Sequence, residues 1–255
     1  MPGRPIGAEG SSIALCRLGG MGYDPRTQPE CHAMEKLDPI PVDLNPNSVK
    51  ARLKTTDRQS VDELIRQALS MAEPRAVFAA AYVEKKDDDQ VVIDGQCFKS
   101  RVLRKNLDDV GRVFPAVVTI GRRIEEAARR SADVLTQYYL DQIGNFILAE
   151  ARSELIRRLC RRFAHDKLSW MSPGSLEDWP IQAQLPLFAL LGEAPAAIGV
   201  QLTESLLMVP GKSVSGIFFP SASTFFSCRL CPREGCEGRK ARYDETAARE
   251  YGVLK

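Results

Sequence analysis

The chain has 255 residues, 44% hydrophobic and 27% charged, with a formal net charge of +2. This is the composition of a globular protein with a sizeable core, and the near-neutral charge argues against a general nucleic-acid binder, which carries a marked basic excess. Two histidines argue against a multi-histidine metal site. No apolar run approaches the roughly 20 residues that span a bilayer, and Met1–Gly20 lacks the basic start and apolar stretch of a secretory signal, so the expectation is a cytoplasmic protein without membrane or nucleic-acid partners.

Residues 1–45 are rich in Gly and Pro and have no apolar period, which predicts a loosely ordered N-terminal extension. Cys16, Cys31 and His32 lie there and read as unpaired surface residues. The folded part begins near Val49; a domain over 46–225 and a tail over 226–255 are expected. Ser60-Val61-Asp62-Glu63 has the form of a capping box. Val61, Leu64, Ile65, Ala68 and Leu69 follow helical spacing, and Pro74 ends that helix. Val77–Val83 reads as a strand, Lys85–Asp89 as a charged turn, Gln90–Ile93 as a second strand and Asp94-Gly95 as a tight turn. Val113–Ile120 is a third strand, closed by Gly121.

A helical stretch follows, with Leu135, Tyr138, Tyr139, Ile143, Phe146 and Ile147 on one apolar face that Leu155, Ile156 and Leu159 continue. Arg157, Arg158, Arg161 and Arg162 sit at its C-terminal end, where cations favour the helix dipole; a phosphate or acidic-partner patch is the sharper alternative. His165-Asp166 reads as a helix-end pair. Leu185–Leu191 is a short apolar helix. Leu202–Val209 and Ser213–Phe219 flank Pro210-Gly211, a turn dipeptide, and are expected to form a β-hairpin. Glu245–Tyr251 is expected to be a short terminal helix. The mixture predicts an α+β fold, a twisted antiparallel sheet with packed helices.

Of seven cysteines, three form Cys228-x2-Cys231-x4-Cys236 in a tight Pro/Gly loop. Soft thiolates at that spacing suit zinc or an iron–sulfur cluster. Three are one short of the usual four; the fourth ligand would be Cys160, Cys97, Cys31, an exogenous group or a partner protein. An electron-carrying cluster, a structural zinc and reduced cysteines without metal all stay open. Arg229, Arg233, Arg239, Lys240 and Arg242 would lower thiolate pKa values and could dock an acidic electron donor, or simply form a solvated basic tail.

The most specific text is Gly199–Gly216, which contains Leu202-Thr203-Glu204-Ser205, then Met208-Val209-Pro210-Gly211, then Ser213-Val214-Ser215-Gly216. In that order and register these segments resemble the activation domain of cobalamin-dependent methionine synthase. Ser172-Pro173-Gly174, Asp178-Trp179-Pro180 and Gln184 match the loop and helix start before them. The resemblance is clear over about Leu168–Pro220 and weak over Asp133–Leu159, where an Ala149-Glu150 pair is familiar. It implies an activation-domain-like fold, S-adenosylmethionine binding, and reductive re-methylation of a cobalamin that has slipped to the inactive cob(II) state. The cobalamin would be carried by a partner, a cobalamin-dependent methyltransferase or corrinoid protein. The electron would come from a flavodoxin- or ferredoxin-like donor. A sulfonium cation is expected beside a carboxylate or aromatic face, which makes Glu204, Asp178, Trp179 and Glu150 candidate ligand residues. The Pro173-Gly174 backbone would allow close approach. Trp170 and Ser175 stand where the family carries Arg and Tyr. Three functions follow: an activator using S-adenosylmethionine, an iron–sulfur redox accessory protein without that chemistry, and a non-catalytic module that binds the corrinoid protein. Cys228, Cys231 and Cys236 are the candidate metal ligands.

Overall fold

The computed structural model describes residues 34–53, 58–236 and 238–254; Cys16, Cys31 and His32 lie outside them. The chain begins with β1 (Glu35–Leu37), α1 (Pro46–Leu53) and α2 (Arg58–Met71). A run of strands follows, β2 (Arg75–Phe78), β3 (Ala81–Lys86), β4 (Gln90–Ile93) and β5 (Gln96–Lys99), then α3 (Arg101–Asn106) and β6 (Arg112–Thr119). Next come α4 (Arg123–Arg130), α5 (Val134–Phe163), β7 (Leu168–Met171), α6 (Gln184–Leu191) and α7 (Ala194–Ala197). The chain closes with β8 (Gln201–Leu202), β9 (Met208–Val209), β10 (Ser213–Pro220) and α8 (Glu245–Glu250).

β6 is the axis of an antiparallel sheet. Along one edge it pairs β10, from Ser213 opposite Thr119 to Phe218 opposite Phe114. Along the other it pairs β2 from Arg75 opposite Thr119 to Phe78 opposite Ala116, then β3 at Val113 and Arg112. The sequence Arg-Val-Phe-Pro-Ala-Val-Val-Thr makes this the central strand, because a strand buried on both faces needs a continuous apolar run. Side chains alternate along it: Val113 and Val117 enter a core with Phe98, Trp179, Leu187 and Ile217, while Phe114, Ala116 and Val118 enter a second core with Ile143, Ile147, Leu155 and Phe218. Each fully buried side chain of this size stabilises the fold by roughly 1.5–3 kcal/mol.

The second core is roofed by α5, a helix of 30 residues. The Asp133 carboxylate accepts from the amides of Leu135 (3.3 Å) and Thr136 (2.9 Å), capping its start. Ala164 ends it in the left-handed conformation, φ 53°. Leu140, Ile143, Ile147, Ala151, Leu155 and Leu159 form the buried stripe. The basic run near its end is paired: Arg157 with Glu150 and Glu154, Arg158 and Arg161 with Glu154, and Arg162 with Glu35.

Four local expectations are revised. Ser60 lies inside the first turns of α2, which starts at Arg58, so Ser60–Glu63 does not cap it. The strand expected over Val77–Val83 is interrupted at Ala79-Ala80, because β2 and β3 serve successive stretches of β6; the Ala79 amide donates to the Pro115 carbonyl at 3.1 Å. β1 falls within the expected extension and pairs β2. Ser213–Phe219 is not the second arm of a hairpin around Pro210-Gly211. β8 pairs β9 instead, and β10 lies between β6 and β7, where Ile217, Phe218 and Phe219 bury side chains on both faces. A two-stranded ribbon could not offer that. The C-terminal segment is likewise packed down, with Leu230, Ala247 and Ala248 in the first core. No helix among the described residues is long and apolar enough to cross a membrane.

Candidate functional site

β7 covers only Ile217–Pro220 of β10, so Ser213–Gly216 has no strand beside it on that edge among the described residues. Into this gap opens a cleft of about 370 Å³, walled by Ser172, Pro173 and Ile181, by Gln184, by Leu206–Met208 and by Ser213–Ser215. The loop after β7 shapes one wall. Gly174 takes φ +79°, a conformation natural to glycine, and donates its amide to the Trp179 carbonyl at 2.8 Å. Inside the cleft the Ser172 hydroxyl donates to the Ser215 carbonyl (2.5 Å) and the Ser215 hydroxyl to Gln184 Oε1 (2.8 Å). Among the described residues the lining is apolar with hydroxyl groups and the Gln184 amide, and contains no charged side chain.

The structure separates the candidate ligand residues. Pro173 lines the cleft, and Gly174 turns the loop beside it. Asp178 faces elsewhere: its carboxylate accepts from the Ser100 hydroxyl (2.5 Å) and the amides of Val102 (3.0 Å) and Arg101 (3.3 Å), closing the start of α3. Trp179 is 0% exposed and meets Phe98 edge-on at 6.4 Å, with its indole nitrogen unpartnered among the described residues. Glu150 is held by Arg157 at 2.7 Å. Glu204 is exposed at the tip of the β8–β9 hairpin.

Most of the diagnostic motif has a folding role. Thr203 and Ser205 bond each other across the hairpin tip at 2.9 Å, and the Ser213 hydroxyl donates to Thr119 Oγ1 at 2.9 Å. A Cβ on Gly216 would overlap the Met171 carbonyl oxygen, so only glycine lets β10 approach β7 there. Lys212, 8% exposed, donates to Asp141 and Asn145 of α5, each at 2.7 Å. Sequence reasoning missed Lys212; a lysine between Gly211 and an apolar strand was the signal. The motif's solvent-facing part is Glu204 with Leu207, 60% exposed, and Val209, 47% exposed.

The cysteine loop is organised by Arg239. Its guanidinium donates to the carbonyls of Cys228 (3.1 Å), Cys231 (3.2 Å) and Ala241 (3.3 Å), and also to Arg233. The Lys240 amide donates to the Cys228 sulfur at 3.4 Å. Among the described residues, no group of three or more His, Cys, Asp or Glu side chains is gathered as a metal-donor set. Arg229 is paired with Asp244 at 2.6 Å.

Comparison with known proteins bears on this arrangement. The family model described as vitamin B12 dependent methionine synthase, activation domain, matches residues 179–244. A search of curated proteins gives no match. Among solved structures, the crystal structure of the MetH reactivation domain bound to AdoHcy is similar at 14% identity and a TM-score of 0.52, covering 82% of this chain and 86% of that one. At that identity the likeness speaks to fold, and it agrees with the α+β architecture of antiparallel sheet and packed helices. The resemblance is therefore to the activation domain of vitamin B12 dependent methionine synthase, by family model over residues 179–244 and by fold over most of the chain.

Proposed function

We propose that this protein is an activation-domain-type accessory of a cobalamin-dependent methyltransferase or corrinoid protein, and that its cleft binds S-adenosylmethionine as the methyl donor. One observation carries the reading: the stretch matched by the family model supplies Ile181, Gln184, Leu206–Met208 and Ser213–Ser215, most of the cleft wall. The similar MetH domain was solved with AdoHcy, the demethylated form of that donor.

The chemistry of the wall fits part of such a ligand. Apolar Pro173, Ile181 and Met208 suit the methylene chain and the faces of the adenine, and Ser172, Gln184 and Ser215 offer polar atoms to a nucleoside. The charged amino-acid end and the sulfonium need partners beyond the wall. Glu204 is the remaining candidate, since no hydrogen bond or ion pair among the described residues engages its carboxylate. The protein's work is positioning, holding the donor in line for a reactive centre supplied by the partner. Leu207 and Val209, exposed beside the cleft, are the contact offered to that partner, and a flavodoxin- or ferredoxin-like donor supplies the electron.

Among the described residues the cysteines form no gathered donor set for an iron–sulfur cluster or zinc, so no step is assigned to one. Metal and sulfide analysis of anaerobically purified protein tests the redox alternative directly: stoichiometric iron and sulfide would support it. For the main reading the measurement is isothermal titration of the full chain with S-adenosylmethionine and with S-adenosylhomocysteine. Both are expected to bind, and Glu204→Gln should weaken the former more, because only it carries the sulfonium charge. Absence of binding to either, with and without a corrinoid protein, rejects the methyl-donor role; capture of the corrinoid protein under those conditions would leave a pure binding module.

A further inference from the structure

Among the described residues of the cleft wall, the side chains with hydrogen-bonding protons are Ser172, Gln184, Ser213 and Ser215. All the serines commit theirs inside the protein. The Ser172 hydroxyl donates to the Ser215 carbonyl at 2.5 Å, the Ser213 hydroxyl to Thr119 Oγ1 at 2.9 Å, and the Ser215 hydroxyl to Gln184 Oε1 at 2.8 Å. A hydroxyl has a single proton to give, so the serines turn only lone pairs toward the cleft.

Gln184 is the exception. It opens α6 and is 2% exposed. The buried Ser215 proton requires an acceptor, and the Gln184 oxygen that takes it fixes the orientation of the amide. Its Nε2 group makes no hydrogen bond among the described residues, yet it is not one of the buried atoms sealed off without a partner. What remains open of this side chain is therefore its N–H donor, at the cleft wall. A donor held almost out of water is unfavourable until a ligand pairs it.

This polar inventory selects a ligand. An amide donor stands beside serine acceptors, and no cation lines the wall among the described residues. An amino-acid carboxylate would lie there without charge compensation. A neutral, planar heterocycle with a ring nitrogen next to an amino group matches both features. The nitrogen accepts from Gln184, and the amino group donates to the Ser215 oxygen. Pro173, Ile181 and Met208 supply apolar surface for the ring faces. The edge of a 6-aminopurine has this pattern. Hypoxanthine does not, because its 6-oxygen would set lone pairs against those of the serine.

We propose that Gln184, held by Ser215, is the residue that reads the base in this cleft, selecting adenine over hypoxanthine. The inference rests on the methyl-donor reading for the presence of an adenosyl ligand, and goes beyond it in assigning the recognition of the base.

The test is calorimetric titration of the full chain with S-adenosylhomocysteine and with its deaminated analogue, S-inosylhomocysteine. The wild type should bind the first at least about tenfold more tightly, the discrimination expected when a buried hydrogen-bonding group is left unpaired. Gln184→Leu should weaken S-adenosylhomocysteine about tenfold and bring the two ligands within about threefold of each other. Ser215→Ala frees the amide to turn over and should narrow the ratio in the same way; it decides the matter if Gln184→Leu does not fold. A purely structural role for Gln184 would weaken both ligands in parallel and leave the ratio unchanged. That result, or equal binding of the two ligands by the wild type, overturns the inference and leaves the methyl-donor reading standing. Binding of neither ligand by the wild type rejects both together.

Discussion

Asp178 offers a sharp test, because its residue type and position suggest a ligand contact whereas its geometry is structural. Replacing it with alanine removes a carboxylate that accepts from the Ser100 hydroxyl at 2.5 Å, the Val102 amide at 3.0 Å and the Arg101 amide at 3.3 Å. Ser100 and Val102 are 1% and 0% exposed, so water cannot readily replace what they lose, whereas the exposed Arg101 is easily solvated. Hydrogen bonds to a charged acceptor are each worth about 1.5–3 kcal/mol and do not add fully. Counting one bond in full and the others in part, Asp178→Ala should cost about 3 kcal/mol. For a chain of this size that is a fall of roughly 6–12 °C in melting temperature. Urea denaturation followed by circular dichroism measures the loss, and titration with S-adenosylmethionine well below the new transition measures affinity. The expected pattern is lost stability with affinity within about threefold of wild type. A variant of native stability that no longer binds the ligand would refute the structural assignment.

Further outcomes follow from other parts of the molecule. Gly216→Ala should destabilise by about 3 kcal/mol or more, because the added carbon meets backbone at Met171 and the strands must part; a urea midpoint near wild type would show that β7 and β10 are not so closely packed. Leu207→Asp, at a 60% exposed position, should leave stability within about 0.5 kcal/mol and weaken association with a corrinoid partner at least tenfold in a pull-down or titration, and the reverse pattern would return Leu207 to a folding role. His165 has its pKa lowered by burial first and by Arg112, with Asp166 opposing. The unfolded chain therefore binds the proton more readily, so this contribution to stability is complete above the unfolded value near 6.5 and is lost as pH falls through the lower folded one. Urea midpoints should rise with pH across that window, and His165→Gln should flatten the rise; an equally steep profile in the variant would assign it to another group.

Elements whose signal is local were legible in the amino-acid sequence. β6, the stripe of α5, the turn at Asp94-Gly95 and the helices at Leu185–Leu191 and Glu245–Glu250 all stand where apolar spacing and turn residues put them. Periodicity encodes which face of an element is buried, and that preference survives into the fold. The long motif over Gly199–Gly216 likewise carried the family resemblance, because residues that must fit one tight arrangement, such as Gly216 against Met171, are specified together.

What only the tertiary structure decided were partnerships. β10 could have paired β9 by sequence proximity, but burying Ile217, Phe218 and Phe219 on two faces requires a place between β6 and β7. Asp178 looked available until the start of α3, far upstream in the sequence, brought the Ser100 hydroxyl and the Arg101 and Val102 amides to the carboxylate. Glu150 was drawn to Arg157, and Trp179 into the core. A side chain's availability depends on which distant groups the fold delivers to it, and residue spacing along one chain does not contain that information.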